Sequence, residues 1–450
     1  MEFFCETREI LSKWNNLLIM LTNNIDKIMK KFLLFIALLQ LSFIGFLQAQ
    51  TTEKEFFSDS RYAGGLHCPY IYTASKQTPA PAGYTPFYIS HYGRHGSRWT
   101  IPTKYHTLPN EILEKALKAG KLTELGKSVC ERMNIIAADA AEHYGDLSSL
   151  GAKEHKGIAE RMFKSFPEVF STDNGRRCYI FSRSTQVPRC ILSMAAFNER
   201  LKELNPAIEI TREATKKDHY LNNGANINTD TVNTIVTNFI KKHFNPERFI
   251  SSIFNDKSYA DENVKDQETL AYYIFMAGIN MPNLEQMKIS LMDVFTRDEI
   301  FTFWQASSME MYFYVGPSPI NGKNALKSAS LLLKNILDCA DSAIKNKNIS
   351  ADLRFGHDSY IVPLLALMDI KNMNVPESDP DKVYKVWCDF KASPMGTNVQ
   401  LIFYKNNKND DILVKVLHCE KEVEIPVKTD IAPYYHWKDL RAYYQEKISR

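Results

Sequence analysis

The sequence predicts an α/β fold, and three observations carry that prediction. Short aromatic and β-branched runs at Phe87–Ser90, Tyr179–Phe181 and Leu353–Phe355 have the composition of strands. Between these runs, apolar residues recur at helical spacing, so strands and helices alternate along the chain. Toward the C-terminus, Val399–Tyr404 and Ile412–Leu417 are two further strands whose polar connection indicates a hairpin.

The helical segments carry start signals or a clear periodicity. From Asn110 to about Phe170 the pattern is helical, with helix starts at Thr123 and Ser148. The stretch from about Thr211 to Met311 shows helical periodicity without a clear strand signal, which predicts an inserted, mainly α-helical domain. A further helix is predicted from about Ala325 to Ile344. The aromatic residues expected to pack in the core of this region are Phe301, Trp304, Tyr312 and Tyr314.

Composition and charge exclude several functional classes. The 450 residues are 44% hydrophobic and 24% charged, an ordinary balance for a globular protein. The net charge of +3 comes without a long basic block, so no nucleic-acid partner is predicted. No Cys-x-x-Cys pair occurs and the histidines show no metal-ligand spacing, so we predict neither a metal nor a cofactor.

The first fifty residues have the pattern of an export signal. Lys30 and Lys31 precede an apolar run from Phe32 to Leu47, and Ala49 follows at the expected cleavage point. The run of 16 residues is shorter than the about 20 that a membrane span needs. We predict a leader over residues 1–49, with translation starting at Met29, and a periplasmic or secreted mature chain without a stable membrane anchor. A single N-terminal membrane anchor is the alternative.

Polar residues follow three of the predicted strands directly. These segments are His91–Arg98, Ser182–Arg189 and His357–Asp358. In open α/β sheets, ligands bind outside the carboxyl ends of the strands. We therefore expect the three segments to converge on one site, although they are far apart in the sequence.

The segment Arg94-His95-Gly96-Ser97-Arg98 carries the chemistry of a phosphate site. Two guanidiniums hold a phosphate through paired, charge-assisted hydrogen bonds, and the glycine lets the backbone approach the ligand closely. A neutral imidazole beside the phosphorus is a competent nucleophile. Taken alone, the same five residues also fit a basic, solvated loop.

The wider pattern resembles a known family. Arg94–Arg98 is similar to the first signature of the histidine acid phosphatases, the branch of the histidine phosphatase superfamily that includes phytases. His357–Asp358 resembles their second signature, and Arg189 occupies the place of a third phosphate-binding arginine. The context from Gly65 to Trp437 is most similar to the multiple inositol polyphosphate phosphatases. That group usually has His-Ala-Glu where this chain has His357-Asp358-Ser359, a departure that bears on the substrate more than on the reaction.

The resemblance implies a fold and a role for each residue. The fold is a central, mostly parallel sheet flanked by helices. The core is then formed by residues 50–110, 165–210 and 320–450, and helical cap regions by 111–164 and 211–319. His95 would attack phosphorus and Asp358 would protonate the leaving group. The residues that would bind phosphate are Arg94, Arg98, Arg189 and His357.

These residues predict an exported phosphomonoesterase that acts on a small phosphate ester, with phytate or another inositol polyphosphate as the first choice. A broad-specificity acid phosphatase acting on sugar phosphates is the alternative. Two other classes stay open, a phosphoglycerate mutase-like transferase and a non-catalytic phosphate-binding protein. Four further residues are candidates for the site: His91, Lys104, Arg183 and Arg354. A structural role is the alternative for each of them.

Overall fold

An eight-stranded sheet runs through the computed structural model, which describes residues 51–221, 229–322, 324–346 and 348–449. The strands are β1 (Tyr84–Arg94), β2 (Tyr179–Ser184), β3 (Glu209–Glu213), β4 (Ala351–Gly356), β5 (Asn398–Asn406), β6 (Ile412–His418), β7 (Lys421–Glu422) and β8 (Tyr434–His436). Their order is β3-β2-β4-β1-β5-β6-β7, and β8 pairs with β6.

The sheet is parallel on one side of β1 and antiparallel on the other. β3, β2, β4 and β1 pair in parallel, whereas β5 pairs antiparallel with β1 and begins the antiparallel part of β6, β7 and β8. The α/β prediction is confirmed, and so is the hairpin of β5 and β6. Because β2, β4 and β1 are parallel neighbours, their carboxyl ends lie side by side at one edge of the sheet.

Helices flank the sheet and fill the long connections. The α-helices are Glu53–Phe56, Lys104–Lys118, Glu124–Ala140, Ser149–Ser165, Pro167–Phe170, Pro188–Leu204, Thr229–His243, Pro246–Ile253, Lys257–Asn263, Gln267–Ile279, Arg297–Val315, Asn324–Ser328, Ser330–Asn346, Asp358–Leu367, Val383–Val386, Asp389–Ala392 and Trp437–Ser449. The predicted starts at Thr123 and Ser148 are confirmed, since each side chain accepts a hydrogen bond from a backbone N–H of the first helical turn.

The two faces of the sheet bury different sets of side chains. Along β1, Tyr88 and Tyr92 point to one face and Ile89 to the other, as the two-residue period of a strand requires. Ile89 packs in one cluster with Ile158 and Phe197, which belong to helices Ser149–Ser165 and Pro188–Leu204. The opposite cluster joins the sheet to the large helical region, and Trp304 and Tyr312 are fully buried within it.

Two expectations change in the structure. The stretch from about Thr211 is predicted to be mainly helical, but Glu209–Glu213 is a strand at the edge of the sheet. The predicted helix Ala325–Ile344 is two helices, Asn324–Ser328 and Ser330–Asn346. The division into core and cap regions stays a prediction.

The predicted leader and the start at Met29 lie outside the described residues. Across the part of the chain that the structure describes, none of the helices combines the length and the apolar character needed to cross a membrane.

Candidate active site

Backbone hydrogen bonds hold the start of the Arg94–Arg98 segment between two neighbouring strands. Arg94 ends β1, and its N–H donates to the carbonyl of Thr397 at 2.7 Å. The N–H of His95 donates to the carbonyl of Gly356 at 2.9 Å, and its own carbonyl accepts from Gly396 at 3.0 Å. Main-chain bonds on both sides therefore determine the direction in which the His95 side chain leaves the sheet.

Helix Ser149–Ser165 packs directly against the same segment. A Cβ atom at Gly96 would lie 2.4 Å from the carbonyl oxygen of Gly151, so only glycine permits this approach. The buried carboxylate of Glu154 accepts hydrogen bonds from the N–H of Ser97 at 2.7 Å and from its hydroxyl at 2.8 Å. The N–H of Tyr70 donates to the same carboxylate at 2.8 Å. These contacts anchor the loop that follows His95.

His95 is buried and neutral, and its proton is on a defined nitrogen. Nδ1 lies 2.9 Å from the carbonyl oxygen of Gly96, and because a carbonyl only accepts, Nδ1 must carry the proton. The lone pair of Nε2 is then free. Burial, together with the charges of Arg94, Arg98 and Arg189, lowers the pKa of His95 well below its ordinary value. The ring therefore keeps its nucleophilic form in acidic solution.

Three arginines surround the imidazole. Arg94 is fully buried, donates to the carbonyl of Leu66 at 2.8 Å and lies 2.6 Å from a carboxylate oxygen of Asp358. Arg98 donates to the carbonyl of Trp99 at 2.8 Å. Burial and the repulsion between its charge and that of the neighbouring Arg94 lower the pKa of Arg98. Such a cluster favours a bound dianion, which would relieve the repulsion.

Arg189 and His357 reach the site from two other strand ends. Arg189 stands in the first turn of helix Pro188–Leu204, which follows β2. Its Nη2 lies 3.5 Å from Nδ1 of His357, and Nε2 of His357 lies 3.2 Å from the hydroxyl of Thr185. The imidazole rings of His95 and His357 are 5.7 Å apart at an angle of 70°. Burial lowers the pKa of His357 to about 4, so this ring is also neutral.

Asp358 begins helix Asp358–Leu367 directly after His357. Its Oδ1 accepts from the N–H of Ser359 at 2.7 Å, and the other carboxylate oxygen faces Arg94. Burial would raise the pKa of this carboxyl group, but Arg94 and Arg98 outweigh it and lower the pKa to about 2. The side chain keeps 18% of its surface exposed, so solvent or substrate can reach it.

The structure thus brings together the six predicted site residues, whereas the other candidates lie elsewhere. His91 is buried in β1, where its ring contacts Phe197 and Phe355. Arg183 donates to Asp352 at 2.7 Å, and the fully buried Arg354 donates to Asn335 at 2.8 Å. Both arginines belong to a polar network on the sheet. Lys104 lines a cavity of about 220 Å³ together with Tyr105, Lys241, Tyr273 and Glu310.

Two residues of the site escaped prediction from the sequence. Glu154 lies within a helical pattern, where a lone glutamate usually indicates a solvated face. His67 lies near Arg98, Arg94 and Asp358, and burial with these charges lowers its pKa to about 3. Neither residue stands in a motif or follows a predicted strand, so nothing in the local sequence distinguished them.

Both the sequence and the fold match known proteins. Residues 93–418 match the model of the histidine phosphatase superfamily (branch 2). The multiple inositol polyphosphate phosphatase of Bifidobacterium longum, solved with inositol hexasulfate, is similar with a TM-score of 0.70 and 21% identity, covering 85% of this chain and 97% of that chain. The D. castellii phytase is similar with a TM-score of 0.63 and 16% identity, covering 86% and 85%. A comparison with curated protein sequences finds no match.

Proposed function

The chain belongs to the histidine phosphatase superfamily (branch 2) and is a phosphoric monoester hydrolase, and on that premise we propose that it acts in two steps through a phosphohistidine at His95. The observation that carries the proposal is the state of His95. The ring is neutral, its Nδ1 proton is held by the carbonyl of Gly96, and its free Nε2 stands among three arginines. These are the requirements of a nucleophile toward a phosphate dianion.

In the first step, Nε2 of His95 attacks phosphorus and the P–O bond to the alcohol breaks. Arg94, Arg98 and Arg189 bind the transferred phosphoryl oxygens, and they stabilise the charge that develops on them. In the second step, water attacks the phosphohistidine, inorganic phosphate leaves, and His95 is restored. Both steps need positioning and charge stabilisation, which the buried arginine cluster supplies.

We assign the proton of the leaving group to Asp358. With its pKa at about 2, this carboxyl group is ionised in the free enzyme at the pH of any ordinary assay. A bound phosphate offsets the charges of Arg94 and Arg98, which raises the proton affinity of Asp358. The proton then arrives with the monoanionic ester, whose second pKa is about 6.

Arg189 donates to Nδ1 of His357, so in the free enzyme the imidazole proton is on Nε2, beside the hydroxyl of Thr185. His357 can donate through Nδ1 to a phosphate that takes the place of this contact once its proton has moved to Nδ1 and the Thr185 hydroxyl donates to Nε2.

The decisive test replaces the proposed nucleophile. His95→Ala should abolish phosphate release from p-nitrophenyl phosphate and phytate, and alkaline quenching followed by mass spectrometry should trap a phosphorylated His95 peptide in the unaltered enzyme. His91→Leu is the matched control, because His91 is a buried histidine of β1, the strand that His95 directly follows, and it lies outside the arginine cluster. Full activity in His95→Ala would refute the assignment.

For the substrate, we propose phytate or another inositol polyphosphate. The likeness to the two inositol phosphatase and phytase structures supports this choice. A sugar-phosphate phosphatase is the second candidate, favoured by the His357-Asp358-Ser359 segment, which stands where the inositol polyphosphate phosphatases usually have His-Ala-Glu. Comparing kcat/KM for phytate with that for glucose 6-phosphate, with identification of the products, separates the two.

Export is also proposed, from the basic and apolar pattern of Lys30–Leu47. N-terminal sequencing of the mature protein should begin at Gln50. A mature chain that retains the apolar run would instead support the membrane-anchor alternative.

A further inference from the structure

A buried carboxylate outside the six predicted site residues lies next to the backbone that holds Arg94. Asp389 begins a short helix, and its side chain is fully buried. Its Oδ1 accepts hydrogen bonds from the indole N–H of Trp304 at 2.9 Å and from the N–H of Phe390 at 2.8 Å, and its Oδ2 accepts from the N–H of Leu66 at 3.1 Å. All three partners are donors, which is the environment that suits an ionised carboxylate. Burying this charge costs free energy, which the three hydrogen bonds offset in part.

Asp389 and Arg94 hold the same two residues from opposite sides. Leu66 donates its N–H to the carboxylate of Asp389, and its carbonyl accepts from Nη1 of Arg94 at 2.8 Å. Ser393 donates its N–H to the main-chain carbonyl of Asp389 at 2.7 Å, and its own carbonyl accepts from Nη1 of Arg94 at 2.5 Å. The two carbonyls that hold Nη1 therefore belong to residues whose N–H groups are held by Asp389.

These contacts decide which edge of the Arg94 guanidinium is left for a ligand. Nη1 carries two hydrogens, and the carbonyls of Leu66 and Ser393 use both. Nη2 lies 2.6 Å from Asp358, and Nε has no hydrogen-bond partner among the residues that the structure describes. The Nε–Nη2 edge is therefore the one that can meet two phosphoryl oxygens, in the paired geometry that arginine offers to phosphate.

The approach of Leu66 to the carboxylate depends on the preceding glycine. Gly65 has a φ angle of 52°, and a Cβ atom there would lie 2.2 Å from Oδ2 of Asp389. A side chain at residue 65 would therefore push the segment and the carboxylate apart and break the hydrogen bond of the Leu66 N–H. The contact between Leu66 and Asp389 is thus built into the backbone of this segment.

We propose that Asp389 is a positioning residue for Arg94: through Leu66 and Ser393 it fixes the guanidinium so that the Nε–Nη2 edge faces the phosphoryl group. The inference rests on the proposed function, in which Arg94 binds the transferred phosphoryl oxygens. Asp389 acts on Arg94 only through these two residues, so it is not itself a catalytic residue.

The charges of the two side chains support this arrangement. Burial lowers the pKa of Arg94, and Asp389 is among the negative charges that oppose this effect. Burial raises the pKa of Asp389 to about 6, and the N–H groups that donate to it limit the increase. At pH 7.5 Asp389 is therefore ionised and stabilises the buried guanidinium.

Asp389→Asn tests the role of the carboxylate. Oδ1 accepts two N–H groups and Oδ2 accepts one, so the amide oxygen of asparagine should take the place of Oδ1, and its NH2 group would then face the N–H of Leu66. At pH 7.5, kcat/KM for p-nitrophenyl phosphate should fall about 10-fold, because the Leu66 carbonyl no longer holds Arg94 in place. The inhibition constant of inorganic phosphate should rise by a similar factor. Gly65→Ala, which breaks the same contact and keeps the carboxylate, should have both effects, and it decides the question if Asp389→Asn does not fold.

Trp304→Phe is the matched control, because it removes another hydrogen bond to the same carboxylate, one that does not lead to Arg94. This variant should lose stability in urea unfolding but keep kcat/KM and the inhibition constant of phosphate within about 2-fold. Equal changes of the inhibition constant in Trp304→Phe and Asp389→Asn would show a merely structural role and overturn the proposal. Full activity of Asp389→Asn or of Gly65→Ala would overturn it as well.

Arg94→Lys separates this inference from the proposed function. A lysine ammonium lacks the fork that holds two carbonyls and a phosphate at once, so Arg94→Lys should lower kcat/KM, and adding Asp389→Asn should lower it little further. An undiminished further loss in the double variant would overturn the route through Arg94. Full activity of Arg94→Lys would instead refute the phosphate-binding role of Arg94 in the proposed function, and the inference with it.

Discussion

The surroundings of Asp358 stabilise its carboxylate, whereas its proposed role requires the protonated form. At the first position of its helix, and beside Arg94, its carboxylate is stabilised in the ionised form. In its proposed role as general acid, Asp358 must nevertheless deliver a proton, and this requires bound phosphate to offset the charges of Arg94 and Arg98 first. The helix start that orients Asp358 therefore also makes its protonation depend on bound phosphate.

Replacing this one residue tests its role. Asp358→Asn should slow the hydrolysis of alkyl phosphates about 100- to 10,000-fold, because an alkoxide leaves poorly without a proton. p-Nitrophenyl phosphate should be affected far less, since nitrophenolate leaves without protonation. The measurement is kcat for both esters at pH 5 in the two enzymes. Equal slowing of both substrates would remove Asp358 from the acid role.

Site residues differed in how well the sequence revealed them. Arg94–Arg98 and His357–Asp358 are contiguous and directly follow strands, so residue type and position pointed to them together. Glu154 reaches Ser97 only because Gly151 lets its helix approach the loop. Such a contact depends on the tertiary path of the chain, and no local pattern records it.

At the scale of elements, helix Ser149–Ser165 approaches the Arg94–Arg98 loop so closely that the contact has no room for an added side-chain atom. A Cβ atom at Gly151 would lie 2.3 Å from the carbonyl oxygen of Ser97. Gly151→Ala should therefore destabilise the fold by about 1–3 kcal/mol and lower kcat, because the loop must move away. Urea unfolding and phosphate-release assays measure the two effects.

Gly157 provides the control on the same helix. A Cβ atom there meets the guanidinium of Arg161 at 2.9 Å, and a flexible side chain can move where a backbone carbonyl cannot. Gly157→Ala should be close to neutral in both assays, helped by the better helix propensity of alanine. Equal losses in the two variants would contradict the steric explanation.

Some strands could be predicted from the sequence pattern and one could not, and their positions in the sheet explain the difference. β1 and β4 are interior strands whose apolar runs follow from burial on both faces, and β2 is an interior strand with one face fully buried. β3 is an edge strand, and its sequence Glu-Ile-Thr-Arg-Glu carries charges that are tolerated at an exposed edge. Because those charges hide the strand signal, the same rule that revealed the interior strands missed this one.

At the scale of the whole molecule, burial of neutral histidines couples the fold to pH. Burial lowers the pKa of His67, His91, His95, His106, His155 and His357 below the ordinary value of 6.5. Below pH 6.5 the unfolded chain therefore binds protons that the folded chain does not. As the pH is lowered below 6.5, the free energy of unfolding therefore decreases by about 1.4 kcal/mol per pH unit for each such ring.

Three carboxyl groups act in the opposite sense. Burial raises the pKa of Asp389 to about 6, and it also raises the pKa of Glu154 and of Glu310. The folded protein therefore takes up protons on these groups at a higher pH than the unfolded chain does, which stabilises it as the pH falls toward 4. Six imidazoles outnumber these three carboxyl groups, so the net stability should decrease between pH 6.5 and 4.

Urea denaturation across this range tests the balance, and His91→Leu isolates one contribution. Both ring nitrogens of His91 lack hydrogen-bond partners, and the ring packs between Phe197 and Phe355, so leucine suits the site chemically. The variant should lose less stability on acidification, by about 1.4 kcal/mol per pH unit between pH 6 and 4. A pH slope unchanged from that of the unaltered protein would show that His91 is protonated in the folded state. With the expected slope, the burial that keeps His95, the proposed nucleophile, neutral in acid is the same effect that limits the stability of the fold there.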